Sequence, residues 1–278
     1  MKVQKVINNN VVSFIDSSGV ESVAMGKGLG FCSRAGSCLD QSKVEKIFRL
    51  ESQSETNRLK KIFATVSEKE IELCNQIILY ASENLNRTLS PSLYLTLTDH
   101  ISFALSRMEQ GITFQSALLT EVRTFYPREF AVGKYASSLI EQRLGVAFPE
   151  DEAACIALHL VNAELDNSLS ETMQMTQALH DILEILRQSQ EIELAESGSY
   201  FDELTVHLKF LAIRTFAGLD ERRQDPEFVE FIQRNNPEEY ACATLIAEYL
   251  EKQSQHPVSD TSRAYLAVHI HRINKHEA

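Results

Sequence analysis

Four of the eight histidines stand in sequence contexts that occur twice. One context reads LT-x-H-[IL]-x-F and the other reads A-[LV]-H-[LI], and the histidines in them are His100, His159, His207 and His269. His100 aligns with His207 at an offset of 107 residues, and His159 aligns with His269 at an offset of 110. The pattern predicts two copies of one domain, each with a pair of histidines.

Several kinds of chemistry could use these histidines. Imidazole packs poorly because both nitrogens need partners when buried, although duplicated packing positions would also repeat. A zinc site needs several ligands close together, and neither HExxH nor C-x2-C accompanies these histidines, so no metal or other cofactor is predicted. A neutral imidazole nitrogen is a good nucleophile toward phosphoryl groups. Phosphorylation would add close to two negative charges, enough to shift a balance between two packing arrangements.

Two arginines repeat together with the histidines. Arg107 follows His100 by seven residues, and Arg214 follows His207 by the same spacing. Seven residues make two helical turns, so each arginine would lie on the same helix face as its histidine. These cations are candidate partners of a phosphorylated imidazole, the alternative being ordinary solvated side chains.

The elements that must position these residues are helices. Beyond residue 61, apolar residues recur at helical spacing, glycine is rare and no strand pattern is evident. A third repeated stretch, YPREFA at 126–131 and NPEEYA at 236–241, has the same offset of 110. We therefore predict two all-α domains at 62–170 and 171–278, preceded by a polar linker at 52–61.

The first 50 residues differ from this helical body. They hold five of the ten glycines, and seven Lys and Arg against four Asp and Glu, whereas the whole chain has a net charge of −12. Apolar runs flank a turn at Asp16-Ser17-Ser18-Gly19, which predicts a β-hairpin, and residues 43–50 predict another strand. The core of so small a sheet would be marginal, so dimerisation is expected to add burial.

The composition and the cysteine spacing bear on the location of the protein and on disulfide and zinc sites. No apolar run reaches the length of a membrane span and no secretory signal is visible, so a cytoplasmic location and no membrane insertion are expected. The five cysteines are odd in number, which does not suit a disulfide framework. Cys32 and Cys38 are the closest together, and their C-x5-C spacing matches no usual zinc pattern.

Several motifs together resemble transcriptional antiterminators of the BglG/SacY type. They occur in the family's order and spacing over essentially the whole chain, and they read KVINNNVV, VAMGKGLGF, LTDHISFA, YPREF, PEDEAACIALHLVNAE and LTVHLKFL. The resemblance implies a small antiparallel β RNA-binding domain at 1–56 that acts as a homodimer. Two homologous helical-bundle domains at 62–170 and 171–278 would follow as PRD domains, which the sugar phosphotransferase system regulates.

The resemblance also assigns residues, position by position. The phosphoacceptors would be His100 and His159 in the first regulation domain and His207 and His269 in the second. The RNA contacts would be Lys5, Asn8, Asn10, Gly26, Lys27 and Phe31. Lys27 stands where the family usually has Arg, which keeps the charge but loses the planar fork. Before His269 the sequence reads Asp-Thr-Ser at 260–262, where Asp151 and Glu152 form an acidic pair before His159.

The implied residue types suit RNA recognition. Distorted RNA hairpins are read by amides on base edges, by aromatic stacking and by cations on phosphates. The alternatives for the Asn8–Asn10 run are a β-bulge or a turn, and the alternative for Phe31 is a core aromatic. Glycines around Lys27 would let the backbone approach the nucleic acid closely.

The implied function is control of carbohydrate utilisation genes. The dimer would bind a hairpin in the nascent mRNA leader and keep an overlapping intrinsic terminator from folding. The sugar-specific enzyme II permease would inhibit through the first regulation domain, and the phosphocarrier HPr would activate through the second.

Two other classes of protein remain open. A DNA-binding activator could share the regulation domains, but such chains normally begin with helix-turn-helix modules and this one begins with strands and glycines. An enzyme that relays phosphoryl groups through the histidine pairs would need a substrate pocket, and no G-x4-G-K-[ST] loop is present. We therefore predict a regulator without catalytic residues.

Overall fold

The computed structural model describes residues 1–49, 52–165, 168–190, 198–220 and 224–277. Four strands form one antiparallel sheet in the order β1-β2-β3-β4. They are β1 Lys2–Val6, β2 Val11–Ile15, β3 Glu21–Met25 and β4 Lys46–Phe48. A 3₁₀ turn at Gln41–Lys43 precedes β4.

The rest of the described chain is helical, which confirms the predicted fold class. The helices are α1 Gln53–Thr65, α2 Glu68–Leu85, α3 Leu93–Glu109, α4 Leu119–Phe125, α5 Pro127–Leu144, α6 Glu150–Leu165, α7 Leu169–Gln190, α8 Ser199–Phe216, α9 Pro226–Asn235, α10 Pro237–Ser254 and α11 Asp260–Glu277. Among the described helices, none combines the length and the apolar character that a bilayer span requires.

The asparagine run forms the turn between β1 and β2. Val6 pairs with Val12, and the backbone N–H groups of Ile7 and Asn8 both donate to the carbonyl of Val11. The apolar run of residues 5–16 is therefore two strands, and the asparagines occupy the turn that was one of the open alternatives. Turn positions suit Asn because its short side chain can form hydrogen bonds with nearby backbone groups.

The second hairpin confirms its prediction. β2 and β3 pair from Val11 opposite Met25 to Ile15 opposite Glu21. Asp16 closes the turn because its carboxylate accepts from the N–H groups of Ser18 and Val20 at 2.8 and 3.0 Å. The strand predicted at 43–50 is observed at Lys46–Phe48. Residue 50, the last one of the predicted strand, lies outside the described residues.

Both faces of the sheet are buried. One face carries Val12, Phe14 and Ala24 into a small core closed by Leu29 and Leu39. The other face carries Val11, Val23, Met25 and Phe48 into the core of the neighbouring helices. Part of the extra burial expected from dimerisation thus comes from helices of the same chain.

Helix α1 occupies most of the stretch predicted as a linker. Ser52 and Glu55 form a capping box in which each side chain meets the other residue's backbone N–H. A narrow apolar stripe that includes Leu59 and Phe63 is buried against the sheet and α3. The polar composition of residues 52–61 reflects the exposed face of this helix, and the role of this stretch as a linker between domains stays a prediction.

The chain divides into two compact units, Met1–Ala117 with Arg128–Asn167, and Leu118–Pro127 with Ser168–Ala278. The internal repeat is visible in the helix bounds, since α5 and α10 have the same length at the predicted offset of 110. Even the backbone after them repeats, with Gly145 at φ +74° and Gln255 at φ +63°.

Candidate functional site

His100 and His159 come together in the first unit. His100 lies on α3 and His159 on α6, and their ring centroids are 4.9 Å apart at an angle of 42°. The two helices pack against each other with these faces. The two histidines that the repeat assigns to the first copy therefore lie side by side.

A buried ion pair lies beside this histidine pair. Arg107, two turns after His100 on α3, donates to Oε1 of Glu152, which lies two turns before His159 on α6. The other carboxylate oxygen of Glu152 is 3.3 Å from Nε2 of His100. The Glu152 side chain is fully buried, and those of His100 and Arg107 are each 15% exposed. Equal spacing on two facing helices explains why the four side chains meet.

The site fixes two protonation states. Burial would raise the pKa of Glu152, but the hydrogen bond and charge of His100 and the charge of Arg107 outweigh it and hold that pKa below its usual range. Burial, with a smaller contribution from His100, lowers the pKa of His159 to about 3. His159 is therefore a neutral imidazole at physiological pH, the protonation state that a nucleophile needs.

The second unit repeats the pair in a tighter form. The ring centroids of His207 on α8 and His269 on α11 are 3.6 Å apart, at an angle of 32°. Arg214 lies 3.4 Å from the buried carboxylate of Asp220, which follows α8. The same carboxylate accepts from the backbone N–H of Ser259 and from the hydroxyl of Ser262, both at 2.8 Å.

The two copies thus neutralise their arginines with carboxylates from different elements. Ser262 occupies the repeat position of Glu152, and Asp220 supplies the missing charge from the segment after α8. The sequence showed that the acidic pair was absent before His269, but nothing in the repeat pointed to Asp220. Both arginines predicted as phosphoryl partners already hold a buried carboxylate.

Four of the six predicted RNA contacts line one cavity of about 610 Å³. They are Asn10, Gly26, Lys27 and Phe31. Phe31 is 82% exposed, so the core alternative for this residue is wrong. Asn10 supports the loop beneath it, because Oδ1 accepts from the N–H of Gly28 at 2.7 Å and its carbonyl accepts from the N–H of Gly26.

The other two predicted RNA contacts lie elsewhere. Asn8 points inward, with Nδ2 donating to the carbonyl of Phe63 at 2.8 Å and Oδ1 accepting from the N–H of Asn10. Its amide therefore anchors the turn to α1. Lys5 is exposed and lines a separate concavity of about 400 Å³ with Lys60 and Lys61.

Two glycines in the segment around Lys27, Gly26 and Gly30, pack closely against the protein's own backbone. A Cβ on Gly26 would lie 1.8 Å from the carbonyl oxygen of Lys43, and one on Gly30 would lie 1.9 Å from that of Asn8. No other residue fits either position without backbone movement. Close backbone packing is therefore a sufficient reason for these two glycines, apart from any approach of nucleic acid.

Part of the cavity lining is acidic, which the sequence did not reveal. Helix α2 contributes Glu68, Lys69, Glu72 and Gln76, and Glu45 closes the side next to Lys27. Oε1 of Glu45 accepts from the backbone N–H of Lys27 at 3.2 Å. These carboxylates come from segments remote from residues 10–31, so only the folded chain brings them together.

Comparison with known proteins agrees with this architecture. Residues 1–57 match the CAT RNA binding domain, and residues 75–163 and 180–273 both match the PRD domain. Transcription antiterminator LicT of Bacillus subtilis is 36% identical over 99% of this chain and 99% of its own length. The chain belongs to the BglG/SacY-type transcription antiterminator family.

Two other members of the family are also similar to this chain. The beta-glucoside operon antiterminator of Dickeya chrysanthemi is 36% identical over 98% of this chain and 96% of its own length. The crystal structure of GlcT CAT-PRDI covers 59% of this chain and 97% of that one, with 34% identity and a TM-score of 0.52. Each PRD match contains one histidine pair, and the CAT match contains all six residues predicted to contact RNA.

Proposed function

We propose that this chain is a cytoplasmic transcriptional antiterminator that binds, as a homodimer, a hairpin in the nascent mRNA leader. Binding keeps an overlapping intrinsic terminator from folding. Residues 1–56 form the RNA-binding domain, and residues 62–170 and 171–278 form the two regulation domains. The cytoplasm is where nascent mRNA and the phosphotransferase relay meet in bacteria.

The exposed Phe31 carries the RNA proposal. An aromatic ring that is 82% exposed beside Lys27 and Asn10 is placed for stacking on an unpaired base, with a cation and an amide next to it. In this proposal Phe31 stacks and Lys27 meets a phosphate. Asn10 holds the loop through Oδ1 and presents its NH2 group to a base edge, and Lys5 meets the backbone from outside the cavity. Asn8 acts through the turn that it anchors.

The two histidine pairs carry the proposal of regulation. The unprotonated nitrogen of a neutral imidazole attacks the phosphorus of a phosphoryl donor, and the bond between phosphorus and the donor breaks, so that the donor leaves with that electron pair and takes up a proton; the proton on the other ring nitrogen of the acceptor can then pass to solvent. In the first pair, a phosphoryl group on Nε2 of His100 would enter the 3.3 Å space next to Glu152. Repulsion by Glu152 and attraction by Arg107 would then break the buried ion pair and change how α3 packs on α6.

The partners follow from the same proposal. Phosphorylation through the sugar-specific enzyme II permease inhibits at His100 and His159, and phosphorylation by HPr activates at His207 and His269. No catalysis is proposed, because a phosphoacceptor that signals by its charge needs no turnover.

Gel shift of the full-length chain with its leader RNA hairpin tests the RNA proposal. Phe31→Ala should weaken binding roughly 5- to 150-fold, the range expected when one stacked base loses its aromatic partner. Phe103→Ala is the matched control, since Phe103 is also exposed (64%) but lies on α3. Equal losses in both variants, or preference for duplex DNA of the same sequence, would contradict the proposal.

Phosphorylation by radiolabelled phospho-HPr tests the regulatory proposal. Of the four repeated histidines, the first variant keeps His207 and His269, and it should take up label. The second variant lacks all four and should take up none. Label that persists on the variant lacking all four histidines would refute the assignment.

A further inference from the structure

The first histidine pair lies in a cluster of metal-ligand atoms. A ring nitrogen of His100, a carboxylate oxygen of Glu152 and Sγ of Cys155 all lie within 4.8 Å of one another. Within the described part of the chain, this is the one group of three or more such donors. Glu152 and Cys155 are three residues apart on α6, which places them on one helix face opposite His100 of α3.

The donor set has the chemistry of a zinc site. Imidazole nitrogen, thiolate sulfur and carboxylate oxygen are the ligands that Zn²⁺ takes in proteins, whereas Ca²⁺ and Mg²⁺ require oxygen ligands. Three protein ligands leave one position of a tetrahedron open for water or a further side chain. His159, one turn beyond Cys155 and with its ring centroid 4.9 Å from that of His100, is a candidate fourth donor.

Two buried polar atoms at the cluster are poorly satisfied. Oε2 of Glu152, in a residue that is 0% exposed, has the long 3.3 Å contact with Nε2 of His100, and Nδ1 of His159, in a residue that is 6% exposed, makes no hydrogen bond in the described structure. Buried polar atoms that are poorly hydrogen-bonded are unfavourable, so a cation that bound Oε2 closely would reduce a penalty. Arg107 already holds Oε1, as hydrogen-bond donors outside a metal site commonly hold a ligating carboxylate.

The second copy provides an internal comparison. Ser262 and Tyr265 occupy the repeat positions of Glu152 and Cys155, so the face of α11 near His269 lacks both the carboxylate and the thiol. A hydroxyl and a phenol are poor zinc ligands at neutral pH. Metal binding should therefore distinguish two domains that otherwise hold the same histidine pair.

We propose that His100, Glu152 and Cys155 form a Zn²⁺-binding site in the first regulation domain. Binding forms a Zn–S bond and releases the thiol proton of Cys155 to solvent. The bound ion occupies a ring nitrogen of His100. As a consequence that rests on the proposed function, zinc blocks phosphoryl transfer to His100 and leaves the second pair reactive.

Cobalt titration of the full-length chain tests the site directly. The protein carries Cys32→Ser and Cys38→Ser, because these two exposed thiols could bind metal themselves. We expect one equivalent of Co²⁺ to give a thiolate-to-cobalt charge-transfer band and tetrahedral d–d bands, and one equivalent of Zn²⁺ to remove both.

Matched cysteine variants test whether Cys155 supplies the thiolate ligand. Cys155→Ser should abolish the charge-transfer band and weaken zinc binding at least about tenfold. Cys74→Ser replaces a buried thiol on α2, away from the cluster, and should change neither. Absence of the band in the starting protein, or a band that survives Cys155→Ser, would overturn the proposal.

Phosphorylation assays separate the site from its consequence. Of the four repeated histidines, a variant that keeps only His100 should lose its labelling when zinc is added, and one that keeps only His207 and His269 should be labelled as before. Labelling of the first variant that zinc does not reduce would overturn the blocking of His100. Failure of all labelling in metal-free protein would count against the proposed function alone, because the cobalt titration needs no phosphoryl donor.

Discussion

The Arg107–Glu152 pair allows the geometry of the first histidine site to be tested through stability. Glu152→Gln keeps the volume of the side chain but removes its charge, and it leaves the Arg107 guanidinium without a counterion. Removal of one partner from a buried ion pair costs about 3–5 kcal/mol, compared with less than about 1 kcal/mol for an exposed pair. Because Glu152 is fully buried and Arg107 is only 15% exposed, we expect a loss of about 3 kcal/mol in the free energy of unfolding.

Urea denaturation of the full-length chain, followed by circular dichroism, measures this loss. Glu230→Gln is the control, because the side chains of the Arg234–Glu230 pair are 76% and 70% exposed, and it should cost less than about 0.5 kcal/mol. Arg107→Met combined with Glu152→Gln should recover much of the stability, since no unpaired charge stays buried. A cost for Glu152→Gln no larger than that of Glu230→Gln would refute the buried pair.

Three further outcomes are expected. Above pH 6.5, burial of a neutral His159 costs the folded chain nothing in protonation. As the pH falls from 6.5 toward 3, the unfolded chain takes up the proton and the folded chain does not, so the free energy of unfolding decreases. Lowering the pH from 7 to 5 should thus remove about 2 kcal/mol in urea denaturation, but not in His159→Gln. Gly145→Ala should cost about 1 kcal/mol by the same assay, because φ is +74° and no atom lies near the added Cβ. Glu68→Gln with Glu72→Gln should raise RNA affinity about 5- to 10-fold in low-salt gel shifts, and high salt should remove the gain.

The histidine pairs could be predicted because two independent signals agree on them. The repeat identifies equivalent positions, and the seven-residue spacing places His100 and Arg107 on one helix face. The same spacing between Glu152 and His159 completes the site from the facing helix. Asp220 could not be found in this way, since it has no counterpart in the first copy and meets Arg214 only through the fold.

Residues 8–10 show where sequence reasoning reaches its limit. An amide that reads a base edge and an amide that anchors a turn present the same atoms, so composition cannot separate the two roles. The structure separates them for Asn8, whose Nδ2 donates to the carbonyl of Phe63. The helix α1 was not recognised within the predicted linker for a related reason, because a helix with a narrow apolar stripe has mostly polar residues.

The two regulation domains share a requirement and meet it differently. A partly buried arginine two turns from a histidine needs a carboxylate, since an unpaired charge there would be unfavourable. In the first copy that carboxylate belongs to α6, the helix of His159, and it also approaches His100. In the second copy Asp220 simultaneously holds Ser259 and Ser262 at the start of α11. Under the proposed function, a phosphoryl group that competed for the arginine would strain the packing of α3 on α6 in one domain and would free the N-terminus of α11 in the other. Identical modifications can then have different effects, because the displaced carboxylate belongs to a different element in each copy.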